Sequence, residues 1–220
     1  MGKAVSAGLL AQVRAHLTTA VAGDVLDRMG HRRNFLPPGI RPVEPGMVVL
    51  GTAMPVVIED RAGTLEDPFG RLLEALDALE EGSVYLTEGG STNYALWGEL
   101  MSTRAAHLKA AGAVMNGFHR DTPGILDIGF PTFSHGSYSL DISFRGAVVD
   151  FNVPAKVGGL DVRPGDYVFG DRDGVLIIPA DLAAGTFESA LEKATSENLV
   201  REAFRDGMPA AEAFAKYGVM

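Results

Sequence analysis

Apolar residues recur at helical spacing through the first thirty residues of the chain. A spacing of three or four residues between apolar positions is typical of an amphipathic helix. It predicts one helix carrying Leu9, Leu10, Val13 and Leu17, and a second helix over residues 19–29. Gly30 follows directly and is a suitable C-terminal cap for the second helix.

Strand-like and helix-like patterns then alternate as far as residue 116. A loop rich in Pro and Gly covers residues 34–46. The elements predicted after it are a buried strand at 47–58, a helix at 68–79, a strand at 84–87, a helix at 99–111 ended by Gly112, and a strand at 113–116. The helix at 68–79 is expected to place Phe69, Leu72, Leu73 and Leu76 on one face.

Short β segments dominate the part of the chain beyond Phe130, and helices follow them. The clearest segments are 148–153, 167–169 and 175–178, and the Asp-Gly turn between the last two predicts a hairpin. Helices are predicted at 180–205 and 210–216. The pattern as a whole predicts a single α/β domain over residues 1–220, with a mixed sheet and a C-terminal helical extension from about residue 180 to residue 220.

Composition and charge narrow the class of protein. The chain has no cysteine, which excludes disulfides and thiolate ligands, and it carries 19 basic against 28 acidic residues, for a formal charge of -9. Clustered Lys and Arg are absent, so a nucleic-acid partner is not expected. No stretch reaches the ~18 apolar residues of a membrane span, and no secretory signal is recognisable. We expect a cytoplasmic protein without a membrane partner.

The centre of the chain holds the candidate chemistry, beginning at Gly98 and Glu99. They stand where a loop enters the predicted helix at 99–111, so the amide groups of Leu100 and Met101 lack partners within the helix. Such a helix start binds anions, and Gly98 has no side chain that could block a ligand.

Arg120 and Asp121 are expected near that helix start, because the strand at 113–116 can return along the helix. A guanidinium can clamp a carboxylate through two hydrogen bonds, and a carboxylate is a hard oxygen ligand for Mg²⁺ or Mn²⁺. The pair therefore suits a 2-keto acid. An Arg-Asp dipeptide is also common on protein surfaces, so the spacing alone leaves a purely structural interpretation open.

The run Ala95-Leu96-Trp97-Gly98-Glu99-Leu100, followed by a gap of twenty residues after Glu99 and then Arg120-Asp121, resembles the signature of a known family. It is the family of 4-hydroxy-4-methyl-2-oxoglutarate and 4-carboxy-4-hydroxy-2-oxoadipate aldolases, which overlaps in sequence with the regulator of ribonuclease E activity A. Further similar segments lie at 19–29, 36–42, 162–166 and 170–175. The resemblance covers nearly the whole chain and implies a swivelling α/β/β-type fold assembled as homotrimers or homohexamers.

The resemblance also implies a role for each site residue. Arg120 would bind the pyruvyl carboxylate together with Gly98 and the amides of Leu100 and Met101. Asp121 would be the direct ligand of a divalent metal, Mg²⁺ or Mn²⁺. Glu99 would act through metal-bound water, and so would Glu197 from a neighbouring subunit, with Glu202 as the second choice.

Two positions depart from the family pattern. Gly124 stands where the family often has an acidic residue, three positions after the aspartate. His119 stands where many members have a smaller residue, and it is either a substrate contact or a structural neighbour of Arg120. Both positions would lie near the distal end of the substrate.

The implied activity is that of a metal-dependent carbon–carbon lyase, a class II aldolase that cleaves a 4-hydroxy-2-oxo diacid to pyruvate and a second keto acid. Oxaloacetate decarboxylase activity would accompany it, since both reactions pass through the pyruvate enolate. Glu99, holding a water or hydroxide on the metal, is the hypothetical base. A Schiff-base mechanism is not expected, because no lysine falls in the signature.

A non-catalytic regulatory binding protein resembling the ribonuclease E regulator is the alternative function. Two features favour the enzyme: Asp121 follows Arg120, and about forty residues follow Pro179, where regulator-type chains end sooner. A menaquinone methyltransferase, another label given to such sequences, is not expected, because no glycine-rich adenosylmethionine loop follows an early strand.

Overall fold

The structure is a computed structural model that describes residues 5–62, 64, 66–90 and 94–219. Contacts between residues divide the chain into two units. One unit comprises residues 33–180, and the other combines residues up to 32 with residues from 181 onwards. Each unit is described separately below, and the single domain expected over residues 1–220 stays a prediction.

Helices and strands alternate in the described residues in the following order. The helices are α1 (Ala7–His16), α2 (Thr19–Arg28), α3 (Leu72–Asp77), α4 (Glu99–His107), α5 (Thr122–Ile128), α6 (Ala183–Arg205) and α7 (Ala210–Tyr217). The strands are β1 (Arg41–Pro42), β2 (Val49–Asp60), β3 (Ser83–Glu88), β4 (Ala95–Trp97), β5 (Gly112–Asn116), β6 (Phe118–His119), β7 (Thr132–Ser134), β8 (Gly146–Phe151), β9 (Ala155–Val157), β10 (Leu160–Val162), β11 (Tyr167–Asp171) and β12 (Gly174–Ile178).

A mixed sheet forms the centre of the unit at 33–180. Its strand order in the described residues is β1-β7-β5-β3-β2-β11-β12, and β8 also pairs with β2. Strands β7, β5, β3 and β2 pair parallel with one another, whereas β1 pairs antiparallel with β7, β8 and β11 pair antiparallel with β2, and β12 pairs antiparallel with β11. The predicted hairpin is confirmed, with Asp171 opposite Gly174.

Side chains on the parallel strands alternate between two buried clusters, as expected for a sheet that is covered on both faces. On β3, Tyr85 belongs to a cluster with the residues of α3 and α4, and Val84 and Leu86 belong to the cluster on the other face. On β5, Met115 and Val114 divide in the same way. The sheet therefore forms a rigid support for the loops and helices that follow the carboxyl ends of its strands.

Two predicted helices are shorter than the apolar pattern suggested. Helix α3 begins at Leu72 instead of residue 68, so Phe69 of the predicted apolar face precedes the helix, and Leu73 is 64% exposed. Helix α4 ends at His107 instead of Ala111, because Lys109 takes a left-handed conformation with φ 59°. Gly112 does not end that helix but begins β5.

Among the short elements that the sequence pattern missed, three border the candidate site. Strands β4 and β6 are three and two residues long, and α5 has seven residues. Elements of this length do not complete enough of a period to be recognised.

The other unit consists of helices, with α1 and α2 from the start of the chain and α6 and α7 from its end. The nearly buried Lys193 of α6 donates hydrogen bonds to Asp24 of α2 at 2.5 Å and to Glu197 at 2.7 Å. The predicted helices at both ends are confirmed. Among the described helices, none combines the length and the apolar character that crossing a bilayer requires.

Candidate active site

A pair of short parallel strands brings the two halves of the candidate site together. In this pair Ala95 of β4 lies opposite Phe118 of β6, and Trp97 lies opposite His119. The Arg120 amide donates to the Trp97 carbonyl at 2.9 Å. Since the strands are parallel, the segments that leave their carboxyl ends, Gly98-Glu99 and Arg120-Asp121, lie side by side.

The first half of the site is the start of α4. Gly98 is its N-cap, in an extended conformation, and its carbonyl accepts from the Ser102 amide at 3.0 Å. The amides of Glu99, Leu100 and Met101 therefore precede the first intrahelical hydrogen bond and are available to an anion. The buried Trp97 indole donates to the Ser102 hydroxyl at 2.7 Å, and that hydroxyl donates to the Gly98 carbonyl at 3.1 Å, which fixes the helix start.

Gly98 is required by its distance from the second half of the site. A Cβ atom at this position would lie 2.7 Å from the Asp121 Oδ2 atom and 3.4 Å from the Arg120 Cγ atom. The first distance is shorter than any ordinary contact of a methyl group. The sequence argument assigned to Gly98 an open approach for a ligand, and the structure shows that the missing side chain also makes room for the carboxylate of Asp121.

The second half of the site is the turn from β6 into α5. Asp121 is the N-cap of α5 in a left-handed conformation, with φ 58° and ψ 39°, and its carboxylate makes no capping hydrogen bond. That conformation costs a residue other than glycine roughly 1–2 kcal/mol. Its carboxylate lies 3.5 Å (Oδ2) from the Arg120 Nε atom and is 49% exposed. Backbone strain of this kind is concentrated at functional sites, where it holds a side chain in a required direction.

Asp141 is a third charged residue of the site, which the sequence analysis missed. Its Oδ1 atom lies 3.3 Å from the Arg120 Nη1 atom, and its Oδ2 atom accepts a hydrogen bond from the Ser143 hydroxyl. A backbone bridge between Ala95 and Asp141 places it beside β4. No periodic pattern or motif marked this segment, so Asp141 could be found only from the fold.

The Glu99 side chain occupies the space beside Gly124. A Cβ atom at Gly124 would lie 2.8 Å from the Cβ atom of Glu99 and nearer still to its Cγ atom. Glu99 therefore packs on the first turn of α5, and its Oε1 atom accepts from the Thr103 hydroxyl at 3.0 Å. The glycine found in place of the family's acidic residue leaves the space that the Glu99 side chain fills.

His119 lies behind the Arg120-Asp121 turn. It is 3% exposed, with its Nδ1 atom 2.7 Å from the Ser134 hydroxyl and its Nε2 atom 2.9 Å from the Thr122 hydroxyl. Burial lowers the pKa of the imidazole, and a hydrogen bond involving the Gly136 backbone opposes this shift in part. Of the two roles considered for His119, these contacts favour structural support of the turn over contact with substrate.

Two cavities include Arg120 and Asp121 in their linings. The first, of about 210 Å³, combines charged groups with apolar side chains, which include Phe69, Leu72, Leu73, Leu76, Leu100 and Met101. Asp141 and Gly98 also line it. The second cavity, of about 400 Å³, is polar and is lined by Thr122, Pro123, Ser137, Tyr138 and Ser139. Arg120 and Asp121 thus line both cavities.

Glu197 lies in the helical unit, where its Oε1 atom accepts from the Lys193 ammonium at 2.7 Å. Glu202, the second choice from the sequence, pairs with Arg205 at 2.5 Å. Within this chain both carboxylates are thus held by cations of α6. Donation of Glu197 to a neighbouring subunit stays a prediction.

The residues of the site fit a divalent metal that keeps most of its water. No group of three or more His, Asp or Glu residues placed to hold a metal occurs in the described part of the chain. Asp121 nevertheless presents a half-exposed carboxylate free of any capping bond, and the Glu99 side chain of α4 packs against the first turn of α5, the helix that Asp121 begins. Mg²⁺ is commonly bound by one or two carboxylates and several waters, which is the donor set offered here.

Comparison with known proteins agrees with this fold. The crystal structure of RraAS2 from Streptomyces coelicolor, described as an unusual member of the RNase ES inhibitor RraA protein family, superposes with a TM-score of 0.78, covering 91% of this chain and 99% of that one at 24% identity. At this identity the likeness shows the fold alone. The predicted α/β class with a mixed sheet and C-terminal helices is confirmed.

Sequence relatives and a family model establish membership. A protein of Halalkalibacterium halodurans named "Putative 4-hydroxy-4-methyl-2-oxoglutarate aldolase" is 28% identical over 209 residues, 93% of this chain and 92% of the relative. Protein DlpA of Legionella pneumophila is 26% identical over 94% of this chain, which spans only 34% of that longer relative. The family model described as Aldolase/RraA matches residues 18–177. The chain therefore belongs to the RraA-like family, as the sequence signature indicated.

Proposed function

We propose that this protein is a divalent-metal-dependent lyase that cleaves a 4-hydroxy-2-oxo acid to pyruvate and a second carbonyl compound. One observation carries the proposal. Arg120 and Asp121 stand together beside the start of α4, and Gly98 leaves just enough space for the Asp121 carboxylate. The names of the aldolase relatives support the same reaction class.

Arg120 and the start of α4 bind the carboxylate of the substrate. The Arg120 guanidinium supplies paired N–H donors, and the Leu100 and Met101 amides supply two more at the positive end of the helix. Asp141 holds the Nη1 side of the guanidinium, so the orientation of Arg120 is set before the substrate arrives. A substrate fixed in this way meets the catalytic groups at a high effective concentration.

Asp121 would hold the metal ion, and Glu99 would act from the neighbouring helix through water. When bound, the ion polarises the 2-keto oxygen and stabilises the negative charge that develops there, a contribution of several kcal/mol. Cleavage also requires that the proton of the 4-hydroxyl group be removed. Glu99 orients the water that accepts this proton, and Thr103 fixes the carboxylate of Glu99.

Pyruvate release coupled to lactate dehydrogenase tests the proposal. The substrates are a panel of 4-hydroxy-2-oxo acids together with oxaloacetate, whose decarboxylation would be the side activity. Each reaction is run with Mg²⁺, with Mn²⁺ and with EDTA. We expect turnover that requires the metal and that Arg120→Ala and Asp121→Asn each abolish.

Matched controls separate loss of the site from loss of a surface charge. Arg104 pairs with Asp77 and is 40% exposed, against 38% for Arg120, so Arg104→Ala should keep full activity. Asp150 pairs with Arg71 and is 48% exposed, close to the value for Asp121, so Asp150→Asn serves in the same way. Turnover that survives EDTA, or that both site variants retain, would refute the proposal.

A non-catalytic regulatory role is the second candidate, and the description of the matched family as Aldolase/RraA supports it. It predicts that the folded protein with Mg²⁺ present neither turns over any member of the panel nor binds pyruvate. The strained backbone of Asp121 is the observation that favours catalysis, since a regulator has no need of a carboxylate held there at a cost in backbone energy.

Assembly and location complete the proposal. We expect homotrimers or homohexamers in the cytoplasm, with Glu197 reaching the site of a neighbouring subunit through water. Sedimentation analysis gives the stoichiometry. A Glu197→Gln variant that keeps the wild-type assembly and still turns over at the wild-type rate would remove Glu197 from the site.

A further inference from the structure

Three neighbouring parallel strands of the mixed sheet end in the same way. Strands β3 and β5 end at Glu88 and Asn116, which lie opposite each other, and β7 is followed directly by His135. At each of these strand ends a polar residue precedes a glycine, in the pairs Glu88-Gly89, Asn116-Gly117 and His135-Gly136. Ligands of open α/β sheets bind beyond the carboxyl ends of the strands, so a pattern shared by three of these ends bears on the candidate site.

Hydrogen bonds join the three polar side chains into a series, which we call the strand-end chain. The Asn116 Nδ2 atom donates to the Glu88 Oε1 atom at 2.7 Å, and the Asn116 Oδ1 atom lies 2.6 Å from the His135 Nε2 atom. The other carboxylate oxygen of Glu88 accepts from the Gly158 amide at 2.5 Å. Because a carboxylate only accepts, Asn116 directs its NH₂ group to Glu88 and its oxygen to His135, whose Nε2 atom therefore carries a proton.

The strand-end chain and the candidate site lie on opposite faces of the sheet. Side chains two residues apart on a strand share a face. Asn116 thus shares the face of Val114, which belongs to one buried cluster, whereas Trp97 of β4 belongs to the cluster on the other face. The candidate site begins at Gly98, one residue after Trp97, so the strand-end chain holds the strand ends from behind the site.

Leu96 of β4 connects the strand ends to the site. It is buried and packs on the glycines that follow the ends of β3 and β5. A Cβ atom at Gly117 would overlap the Leu96 Cδ1 atom, and a Cβ atom at Gly89 would lie 3.1 Å from it. Gly98 stands two residues beyond Leu96, and Arg120 stands three residues beyond Gly117. Since close-packed interiors transmit small displacements, a change in the spacing of the strand ends would move both halves of the site.

We propose that Asn116 is a positioning residue of the candidate site. By joining Glu88 to His135, it fixes the spacing of the ends of β3, β5 and β7. Through Leu96, this spacing sets the distance between the start of α4 and the Arg120-Asp121 turn. The effect on turnover rests on the proposed lyase function, whereas the effect on the geometry of β4 does not. A hydrogen bond to a charged group is stronger than one between neutral groups, so the bond from Asn116 to Glu88 contributes most to this role.

Exchanging the amide and the carboxylate of the strand-end chain gives the first test. Pyruvate release is measured with Mg²⁺ on the panel substrate that the wild type cleaves fastest. Asn116→Asp alone places two carboxylates against each other, and we expect kcat/KM to fall about tenfold or more as the strand ends separate. Glu88→Gln combined with Asn116→Asp keeps the wild-type charge and can form every hydrogen bond again, because the new amide donates to the new carboxylate and His135 still donates to it. This double variant should return kcat/KM to near the wild-type value. A double variant no more active than Asn116→Asp, or full activity in Asn116→Asp, would overturn the inference.

The single tryptophan of the chain reports the geometry of β4 without any turnover. Trp97 is buried and directly precedes Gly98, and its indole donates to the Ser102 hydroxyl of α4. With fluorotryptophan incorporated, we expect Asn116→Asp to shift the fluorine NMR resonance of Trp97 under conditions in which the protein stays folded. The double variant should return the resonance to its wild-type position. An unchanged resonance in Asn116→Asp would overturn the inference. A shifted resonance in a protein that releases no pyruvate from any panel member would support the positioning role even though the lyase function had failed.

A destabilised control separates positioning from a general loss of stability. Asp166 is a buried carboxylate that accepts from the Arg163 amide at 2.8 Å and from the Ala180 amide at 3.0 Å. Asp166→Asn should lower the free energy of unfolding, because one of these amides loses its acceptor, yet leave kcat/KM and the Trp97 resonance unchanged. Equal changes in Asp166→Asn and Asn116→Asp would identify lost stability as the cause and contradict the inference. If Asn116→Asp does not fold, Asn116→Ala removes both hydrogen bonds without adding a charge and takes its place, with the same expected shift and the same contradicting result.

Discussion

The two helix starts of the site, those of α4 and α5, have similar surroundings but different N-cap residues. Helices α4 and α5 each follow a strand of the same parallel pair, and neither N-cap residue makes a side-chain capping bond. At α4 the N-cap is Gly98, which contributes empty space and free amides. At α5 it is Asp121, which contributes a carboxylate at the cost of a left-handed backbone. In the proposed function, the junction of β4 with α4 receives a ligand, and the junction of β6 with α5 presents a charge to it.

The difference shows why the two positions are not interchangeable. Glycine usually serves where the backbone needs a positive φ, yet the positive φ here belongs to Asp121, whereas Gly98 is extended. Gly98 is needed for close approach alone. Glycine at position 98 is thus required by the short distance between the two junctions and not by the backbone conformation of Gly98 itself.

Removing the charge at the α5 junction should have the largest effect. Asp121→Asn keeps the shape of the side chain but loses the anionic ligand, so we expect kcat/KM for pyruvate release to fall on the order of 10³-fold. The melting temperature should stay close to that of the wild type. Activity within tenfold of the wild type would show that the carboxylate does not hold the metal.

Filling the space at the α4 junction should have the second-largest effect on activity. In Gly98→Ala the new methyl group would lie 2.7 Å from the Asp121 Oδ2 atom and would push the carboxylate away. A displacement of about 1 Å costs roughly 10²-fold in rate, and we expect a loss of that size in kcat/KM. Gly185→Ala, on α6 with open space around it, is the control and should retain full activity. Equal activity in the two variants would contradict the proposed role of Gly98.

The contact between the two junctions can be tested at Gly124. An alanine in a helix normally stabilises it relative to glycine by roughly 0.5–1 kcal/mol. Here the methyl group would overlap Glu99, so we expect Gly124→Ala to lower the free energy of unfolding by about 1–3 kcal/mol. Denaturant unfolding measures the change, with Gly8→Ala on α1 as a control in open surroundings. A stabilised Gly124→Ala protein would show that Glu99 does not pack on α5.

The smallest effect concerns His119, which supports the α5 junction from behind. Burial lowers its pKa below the ordinary 6.5, so the unfolded chain binds a proton more readily than the folded one. The stabilisation from neutral His119 is therefore complete above about pH 6.5 and is lost as the pH falls toward the lower folded pKa. Unfolding measured from pH 7.5 to 5 should show this decline, and His119→Gln should reduce it. An identical pH profile in the variant would exclude His119 as the cause.

Much of the fold could be predicted from the sequence because long apolar patterns specify it. The twelve residues of β2, the hairpin of β11 and β12 and the terminal helices all follow from periodicity or turn chemistry. The short strands β4 and β6 could not be predicted, since two or three residues carry no period. Yet their pairing is what joins Gly98 to Arg120.

The candidate site shows the same division. Gly98, Glu99, Arg120 and Asp121 were identified through a motif that is local in sequence, and the structure brings them together. Asp141 belongs to no motif and enters the site only through the bridge to Ala95. The apolar face predicted for Phe69, Leu72, Leu73 and Leu76 lines the cavity, whereas the exposure of Leu73 could not be known before the fold.

The central claim is that the two junctions form one site, in which Asp121 holds a metal and Arg120 holds a keto acid. Calorimetric titration of pyruvate into the protein, with and without Mg²⁺, tests it most directly. We predict binding that requires Mg²⁺, that both Arg120→Ala and Asp121→Asn abolish, and that Arg104→Ala retains. Pyruvate binding of equal strength without Mg²⁺, or in Asp121→Asn, would contradict the claim.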